Sequence, residues 1–139
     1  MGRVVVQVMI ENLQDLWDVE RGLLTDDKVR RVTVPDALVD TGASVLSLPT
    51  RLIKQLGLRK SHTKRVVTSL GSSELSVYQV VRLTVQGRVC PVEVTEVPDV
   101  VPTLIGQIPL ESLDFVIDMK NHTLIGNPAH GGEHILEMY

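Results

Sequence analysis

Short segments rich in β-branched residues are the feature of this chain that most restricts its fold. In places they alternate between apolar and polar residues, and turn residues separate them, as is typical of half-buried β-strands. The segments are RVVVQVMI (3–10), VRRVTV (29–34), ELSVYQVVRLTVQ (74–86) and VCPVEVTEV (89–97). A series of short strands with turns between them predicts a mostly β fold, as a barrel or a sandwich.

Two short stretches favour helix instead. Residues 50–57 (TRLIKQLG) begin with Thr50, a residue type that caps helices, and end at Gly57, a typical stop. Residues 108–113 (IPLESL) form the second stretch. The segment 12–28 is compatible with a short helix or with a loop-bearing insertion, and its composition does not decide between them.

Composition limits the size of the fold and its partners. A chain of 139 residues, 43% hydrophobic and 22% charged, predicts one domain over residues 1–139 with enough apolar material for a core. The net charge of −3 argues against nucleic acid as a partner, because proteins that track phosphates usually carry a basic excess.

The start of the chain and its single cysteine bear on the compartment. Cys90 has no second cysteine with which to form an internal disulfide, and MGRVVV lacks the features of a signal peptide. No apolar run approaches the roughly 20 residues that cross a bilayer. We therefore expect a cytoplasmic protein with no membrane partner.

One carboxylate stands where an apolar segment enters a turn, in ALVDTGASVLSL (37–48). The apolar lead-in would hold Asp40 at a rigid strand end, and Gly42 lets the backbone bend. Two such carboxylates close together can share a proton, so that one activates water while the other polarises a carbonyl. Asp-Thr-Gly occurs only once, however, and the alternative is an Asx-type turn without chemistry.

The residues VDTGAS (39–44) resemble the active-site loop of retropepsin-like aspartic proteases, the retroviral type of clan AA, and in particular their single-domain bacterial-type relatives. The later block TLIGQIPLESLDFVIDMKNHTLI (103–125) is similar to the part of that family in which two apolar residues and a glycine precede a short helix and a closing strand pair. Between them, VVTSLGSSELSVYQ (66–79) reads as a hairpin with a Gly-Ser tip, where the family has its substrate-covering flap. The resemblance extends from about residue 28 to residue 126.

The resemblance implies a fold, an activity and an assembly. The fold would be a retropepsin-like closed β-barrel with one or two short helices, one lobe per chain. The activity would be aspartic endopeptidase hydrolysis of a polypeptide, without metal or organic cofactor. Since each chain carries one Asp-Thr-Gly, the enzyme would be a homodimer with a two-fold axis through the site.

The resemblance also assigns roles to individual residues. The catalytic set is Asp40, Thr41 and Gly42. Substrate would contact Ala43 and Ser44 of the loop and, at the flap tip, Leu70, Gly71, Ser72 and Ser73. Supporting residues behind the loop would be Leu104, Ile105 and Gly106.

The sequence departs from the viral pattern beside the loop. Viral enzymes commonly pair an Asp after Asp-Thr-Gly-Ala with an Arg after the later glycine, and this chain has Ser44 and Gln107 there. We therefore predict that neutral hydrogen bonds hold the loop, and the strength of the dimer stays open. The terminal segments RVVVQV (3–8) and HILEMY (134–139) are candidates for intersubunit strands, with an edge strand and a frayed tail as the alternatives.

Other motifs favour simpler interpretations. His130-x-x-Glu133-His134 matches a zinc-peptidase pattern, but Gly131-Gly132 oppose the helix that it needs, so a flexible tail is expected. The six Lys and Arg of residues 51–65 predict a solvated helix face and loop, in preference to a patch for nucleic acid or an acidic partner. Cys90 is interpreted as a buried hydrophobe, not a nucleophile.

The sequence is also compatible with a function in binding without catalysis. The chain could be a catalytically silent protease-like domain that serves as a dimerisation or peptide-binding module.

Overall fold

The computed structural model describes residues 3–135 and residue 137. Nine β-strands and three α-helices make up the regular structure of these residues, together with two 3-10 turns at Asp26–Lys28 and Pro128–His130. The strands are β1 (Val5–Asn12), β2 (Arg31–Val39), β3 (Leu46–Pro49), β4 (Lys60–Thr68), β5 (Gly71–Val85), β6 (Arg88–Val97), β7 (Leu104–Ile105), β8 (Phe115–Asp118) and β9 (Thr123–Gly126). The helices are α1 (Leu13–Glu20), α2 (Thr50–Gln55) and α3 (Gln107–Ser112).

The mostly β prediction is confirmed, and so are the two predicted helices, which are α2 and α3. A third helix, α1, forms in the segment 12–28 that composition left undecided. Its first turn is capped by Asn12, whose side chain accepts a hydrogen bond from the Asp15 backbone N–H at 3.0 Å. The Asn12 amide also donates to the Leu56 carbonyl at 2.8 Å, so the cap is held from outside the helix.

Seven strands form one sheet in the order β1-β2-β7-β3-β6-β5-β4. An additional pairing of β1 with β5 closes the first six of these strands into a ring, while β4 lies outside the ring and pairs with β5. The contacts of β2 with β7 and of β3 with β6 are parallel, and β7 runs antiparallel to β3. This ring is compatible with an aspartic protease fold, and the finer retropepsin-like assignment stays a prediction.

The core fills the inside of the ring. Beyond the bulge in β5, Val81, Leu83 and Val85 alternate along the strand and belong to the core, as the period of two in a strand requires. Ile53 of α2 and Leu110 of α3 cover the core together with Leu56 and Leu113, which directly follow the two helices. The residues buried along β5 are Val77, Val81, Leu83 and Val85. Cys90 belongs to this core, as predicted. The separate β8–β9 hairpin is anchored to it by Phe115 and Leu124.

A buried carboxylate ties three strands together. Glu11 on β1 is 1% exposed, and its two oxygens accept hydrogen bonds from Arg31 on β2 at 3.1 Å and from Arg82 on β5 at 2.9 Å. These charge-assisted bonds stand where β1 pairs with both neighbours, so they reinforce the closure of the ring.

None of the helices in the described part of the chain has the length and apolar character that spanning a bilayer requires.

Candidate active site

Asp40 lies directly beyond the end of β2, where that strand runs parallel to β7. Leu38 and Val39 pair with Leu104 and Ile105, and the Asp40 backbone N–H donates to the Ile105 carbonyl at 2.9 Å. The carboxyl end of a strand in a parallel pair therefore sets the position of this residue, as the apolar lead-in predicts.

The turn after Asp40 is held by its own carboxylate. Oδ1 of Asp40 accepts a hydrogen bond from the Gly42 N–H at 2.9 Å, and the Asp40 carbonyl accepts one from the Ala43 N–H at 3.1 Å. This arrangement is the Asx turn of the alternative interpretation. The turn uses Oδ1 and the backbone carbonyl of Asp40 and does not need the second carboxylate oxygen, Oδ2.

Three successive backbone N–H groups hold the rest of the loop. Gly106, Gln107 and Ile108 donate to the carbonyls of Val45, Ala43 and Ser44, respectively, each at 2.9 Å. The Gln107 side chain points elsewhere and donates to Glu111 at 3.0 Å. The prediction that neutral hydrogen bonds hold the loop is therefore confirmed, with the backbone as their source.

Gly106 packs against this loop more closely than any other residue type could. A Cβ atom there would lie 2.5 Å from the Val45 carbonyl oxygen and 2.6 Å from that of Ala43. Both are backbone atoms, which cannot swing away as a flexible side chain can. The Leu-Ile-Gly block thus packs behind the Asp40 loop, although its role as a support of catalysis stays a prediction.

The face of the loop that points away from Gly106 is open. Thr41, Gly42 and Ser44 are exposed, whereas Asp40 and Ala43 are half-buried. A small residue at 43 and an exposed turn leave the carboxylate accessible from outside the ring.

The predicted hairpin is present and is longer than residues 66–79, because β4 and β5 pair from Lys60 to Thr68. Its tip is at Ser69 and Leu70, and the Leu70 side chain is 98% exposed. Gly71, with φ of 117°, pairs with Thr68 and closes the hairpin. The predicted Gly-Ser tip is therefore shifted, because Gly71, Ser72 and Ser73 already belong to β5. Their assignment to a flap over substrate stays a prediction.

Hydrogen bonds attach the chain beyond β9 to the rest of the protein as far as residue 135, although residues 131–135 are exposed, in contrast to the expected flexible tail. Asp114, which adopts a positive φ of 58°, places Oδ2 2.5 Å from Nδ1 of His130. The hydrogen bond with His130 lowers the pKa of Asp114 to about 2, and the same contact raises the pKa of His130. Nε2 of His130 lies 3.1 Å from Glu137.

The same segment excludes the zinc-peptidase helix. Gly131 and Gly132 have φ of 65° and 79°, which an α-helix does not contain. Arg88 anchors the segment by hydrogen bonds to the carbonyls of Leu113, Asp114 and Gly132. Among the described residues no group of three His, Cys, Asp or Glu is arranged to hold a metal ion.

The two terminal strand candidates have different outcomes. From Val8 onward, β1 pairs on one edge with β2 and on the other edge with β5 of its own chain. In RVVVQV, only the residues before Val8 therefore have one edge that pairs with no strand among the described residues. In HILEMY, the Ile135 N–H donates to Asp114 at 3.2 Å. Residues 136, 138 and 139 lie outside the described part, so that strand prediction is untested.

Sequence reasoning missed the Glu11 and Asp114 clusters. Glu11 is 71 positions from Arg82, and Asp114 is 16 positions from His130. No spacing in a single sequence signals either pairing.

Comparison with models of protein families matches residues 27–125 to the aspartyl protease family. The match spans more than half of the chain and contains the Asp40 loop, the β4–β5 hairpin and the Leu-Ile-Gly block. None of the curated proteins with which the chain was compared matches it.

Proposed function

Since the chain belongs to the aspartyl protease family, we propose that it is an aspartic endopeptidase that works as a homodimer, with Asp40 of each copy supplying one of two catalytic carboxylates. Family membership supports a peptidase in general. The observation that carries the finer proposal is the position of Asp40, half-buried at the end of a parallel strand pair and fixed by the Ile105 carbonyl and the Gly42 N–H.

The need for a second copy follows from the chemistry. Two carboxylates must share one proton for one of them to activate water while the other polarises the substrate carbonyl. The chain has a single Asp-Thr-Gly. A two-fold axis beside the exposed turn at Thr41 and Gly42 is the simplest arrangement that brings two copies of Asp40 together.

Apolar surface beside the loop supports this assembly. The side chain of Val5 is 49% exposed, and Val5 pairs with Leu38, which lies two positions before Asp40. Ile108, whose N–H holds Ser44, is 51% exposed. A second copy placed on the axis would cover these side chains and so gain the free energy of burying them.

The β8–β9 hairpin gives further support. Within the described residues its two strands pair only with each other, and Met119 at the turn is 65% exposed. Two-stranded sheets are marginally stable by themselves, so the open edges suit the addition of strands from a partner.

The catalytic step would be direct attack of water on the peptide carbonyl. The ionised Asp40 takes a proton from the water as its oxygen bonds to the carbonyl carbon, and the protonated Asp40 of the second copy gives its proton to the carbonyl oxygen, which leaves a tetrahedral intermediate. The proton taken from water then passes to the peptide nitrogen as the C–N bond breaks, and the other carboxylate takes back a proton from the intermediate as the new carboxyl group forms. The β4–β5 hairpin, with Leu70 at its tip, would close over an extended peptide and exclude bulk water.

The test compares Asp40→Asn with Asp36→Asn, a matched change of an exposed carboxylate on β2, the strand that leads to Asp40. An unfolded protein is the substrate, over mildly acid to neutral pH, and sedimentation measures the assembly. We expect Asp40→Asn to fold normally, because an amide oxygen still accepts from Gly42, and to lose cleavage that Asp36→Asn retains. Cleavage by Asp40→Asn, or by a strict monomer, contradicts the proposal. A dimer that binds peptides without cleaving them at any pH favours the silent module instead.

A further inference from the structure

The outer edge of β4 is the end of the seven-stranded sheet. Its one sheet partner is β5, so along the other edge the backbone N–H and C=O groups of Lys60–Thr68 have no strand partner among the described residues. An edge of this length is a template for an added strand unless the protein protects it. All of its residues are exposed except Val66, which is half-buried.

Basic side chains concentrate on this edge. Lys60, Lys64 and Arg65 lie on β4, and Arg59 precedes it. In the described part of the chain, none of these four has a carboxylate within 4.0 Å, and Glu74, which pairs with Arg65 across the hairpin, makes no such contact. The contrast is with the arginines that are paired with carboxylates, namely Arg21, Arg30, Arg31, Arg51 and Arg82.

The cations project from both faces of the hairpin. Lys64 and Arg65 are consecutive strand residues, so their side chains point to opposite faces. An added strand with acidic residues at neighbouring positions would meet a cation on each face. Its backbone would pair with the open edge at the same time.

We propose that the outer edge of β4 docks an acidic, extended segment of the polypeptide substrate as an added strand, outside the cleft that contains Asp40. This inference rests on the proposed function, because that function makes the partner a polypeptide substrate. It adds that the preferred substrates contain an acidic stretch at a distance from the peptide bond that is cleaved. Charge complementarity selects the occupant, because the cations repel a second copy of the same edge and attract carboxylates.

Nucleic acid fits the edge less well. Single-strand binding surfaces interleave cations with large aromatic side chains on which bases stack, and residues 59–68 contain no Phe, Tyr or Trp. A nucleic acid also cannot use the N–H and C=O groups of a strand edge in a ladder.

The test uses the Asp40→Asn background, which removes cleavage, and a fluorescent peptide of alternating Glu and Val. Lys64→Glu with Arg65→Glu is the test variant. Lys28→Glu with Lys54→Glu is the matched control, since both lysines are exposed, lie off the edge, and change the net charge equally. A second peptide carries N-methyl groups on alternate amides, which keeps its charges and prevents strand pairing. A thymidine oligonucleotide is the third ligand.

We expect the test variant to bind the acidic peptide about tenfold more weakly than the control variant, with affinity that falls as salt rises. The N-methylated peptide should lose about as much. Equal binding by test and control variants overturns docking on β4. If the N-methylated peptide binds as tightly as the unmodified acidic peptide, strand addition is wrong. If the oligonucleotide binds as tightly as the acidic peptide and loses affinity in the same variant, an acidic polypeptide is the wrong partner.

Cleavage of a neutral unfolded protein by the chain with Asp40 intact is measured separately. Loss of docking with intact cleavage removes this inference alone. Docking without cleavage removes the peptidase proposal and leaves β4 as a peptide-binding edge.

Discussion

The backbone of Gly106 lies against the carbonyl oxygen of Val45, so closely that a Cβ at position 106 would come within 2.5 Å of that oxygen. The Gly106 N–H donates to the same oxygen at 2.9 Å. This contact joins the segment before α3 to the loop that carries Asp40. The geometry of the candidate site therefore depends on the absence of a side chain 66 positions later in the chain.

Replacement of Gly106 by Ala should displace the Asp40 loop. The added methyl group meets the carbonyl oxygens of Val45 and Ala43, which are backbone atoms, so the loop itself must move. We expect the free energy of unfolding, measured in urea, to fall by about 2 kcal/mol or more. Any peptidase activity should fall by more than the loss of folded protein accounts for, because the loop positions the carboxylate.

Gly22→Ala is the control for this substitution. Gly22 has a positive φ of 75° but no atom within 4 Å of the built Cβ, so only backbone strain of about 1 kcal/mol is expected. An equal loss of stability in the two variants would contradict the importance of the close approach at Gly106.

Neutralising Glu11 should weaken the closure of the ring. Glu11→Gln keeps the shape of the side chain but removes the charge that two arginines contact, at 3.1 and 2.8 Å. We expect the free energy of unfolding to fall by about 2 kcal/mol, as for other hydrogen bonds to charged groups. The matched change Asp18→Asn, in a more exposed pair with Arg21, should cost about 0.5 kcal/mol or less.

The contact of His130 with Asp114 should make stability depend on pH in a defined window. Hydrogen bonding to Asp114 raises the pKa of His130 above its ordinary 6.5, so this contribution is complete below pH 6.5 and is lost as pH rises through the raised value. The pKa of Asp114 is lowered from 3.8 to about 2, so its contribution is present above pH 3.8 and is lost as pH falls toward 2. The contact should therefore stabilise most between about pH 4 and 6.5.

The measurement is the difference in free energy of unfolding between the wild-type chain and His130→Gln, both within this window and at the lower and higher pH on either side of it. We expect a maximum inside the window and a decline on both sides. His62→Gln, at an exposed histidine on β4, controls for the loss of a titratable group. A difference that does not change from pH 4 to pH 8 would show that His130 contributes no charged contact.

Cys90 should react with alkylating reagents only after unfolding. Its side chain is 5% exposed, so a reagent cannot reach the sulfur in the folded chain. Burial also raises the pKa of Cys90 to about 11, so little of the reactive thiolate is present at mildly alkaline pH. Mass spectrometry after iodoacetamide treatment, with and without urea, measures this. Rapid labelling of the folded chain would contradict both the burial of Cys90 and its interpretation as an inert core residue.

Local patterns in the sequence determined much of this protein. The strands follow from runs of β-branched residues, α2 and α3 from their start and stop residues, and the loop after Asp40 from Asp-Thr-Gly. The importance of Gly106 was also readable, through the resemblance of Leu104-Ile105-Gly106 to a known block. The strands, helices and turn depend on residues that are neighbours along the chain, so a single sequence contains their signal, whereas the contact of Gly106 with the distant loop was indicated only by the resemblance.

Only the tertiary structure decided the rest. The pairing of β1 with β5, the contacts of Glu11 and Asp114, and the isolation of the β4 edge all join or separate residues that are far apart in sequence. Helix α1 is another case, because Asn12 caps it while Leu56 holds Asn12. Propensity acts within a few residues, whereas these features depend on which side chains the folded ring brings within hydrogen-bonding distance.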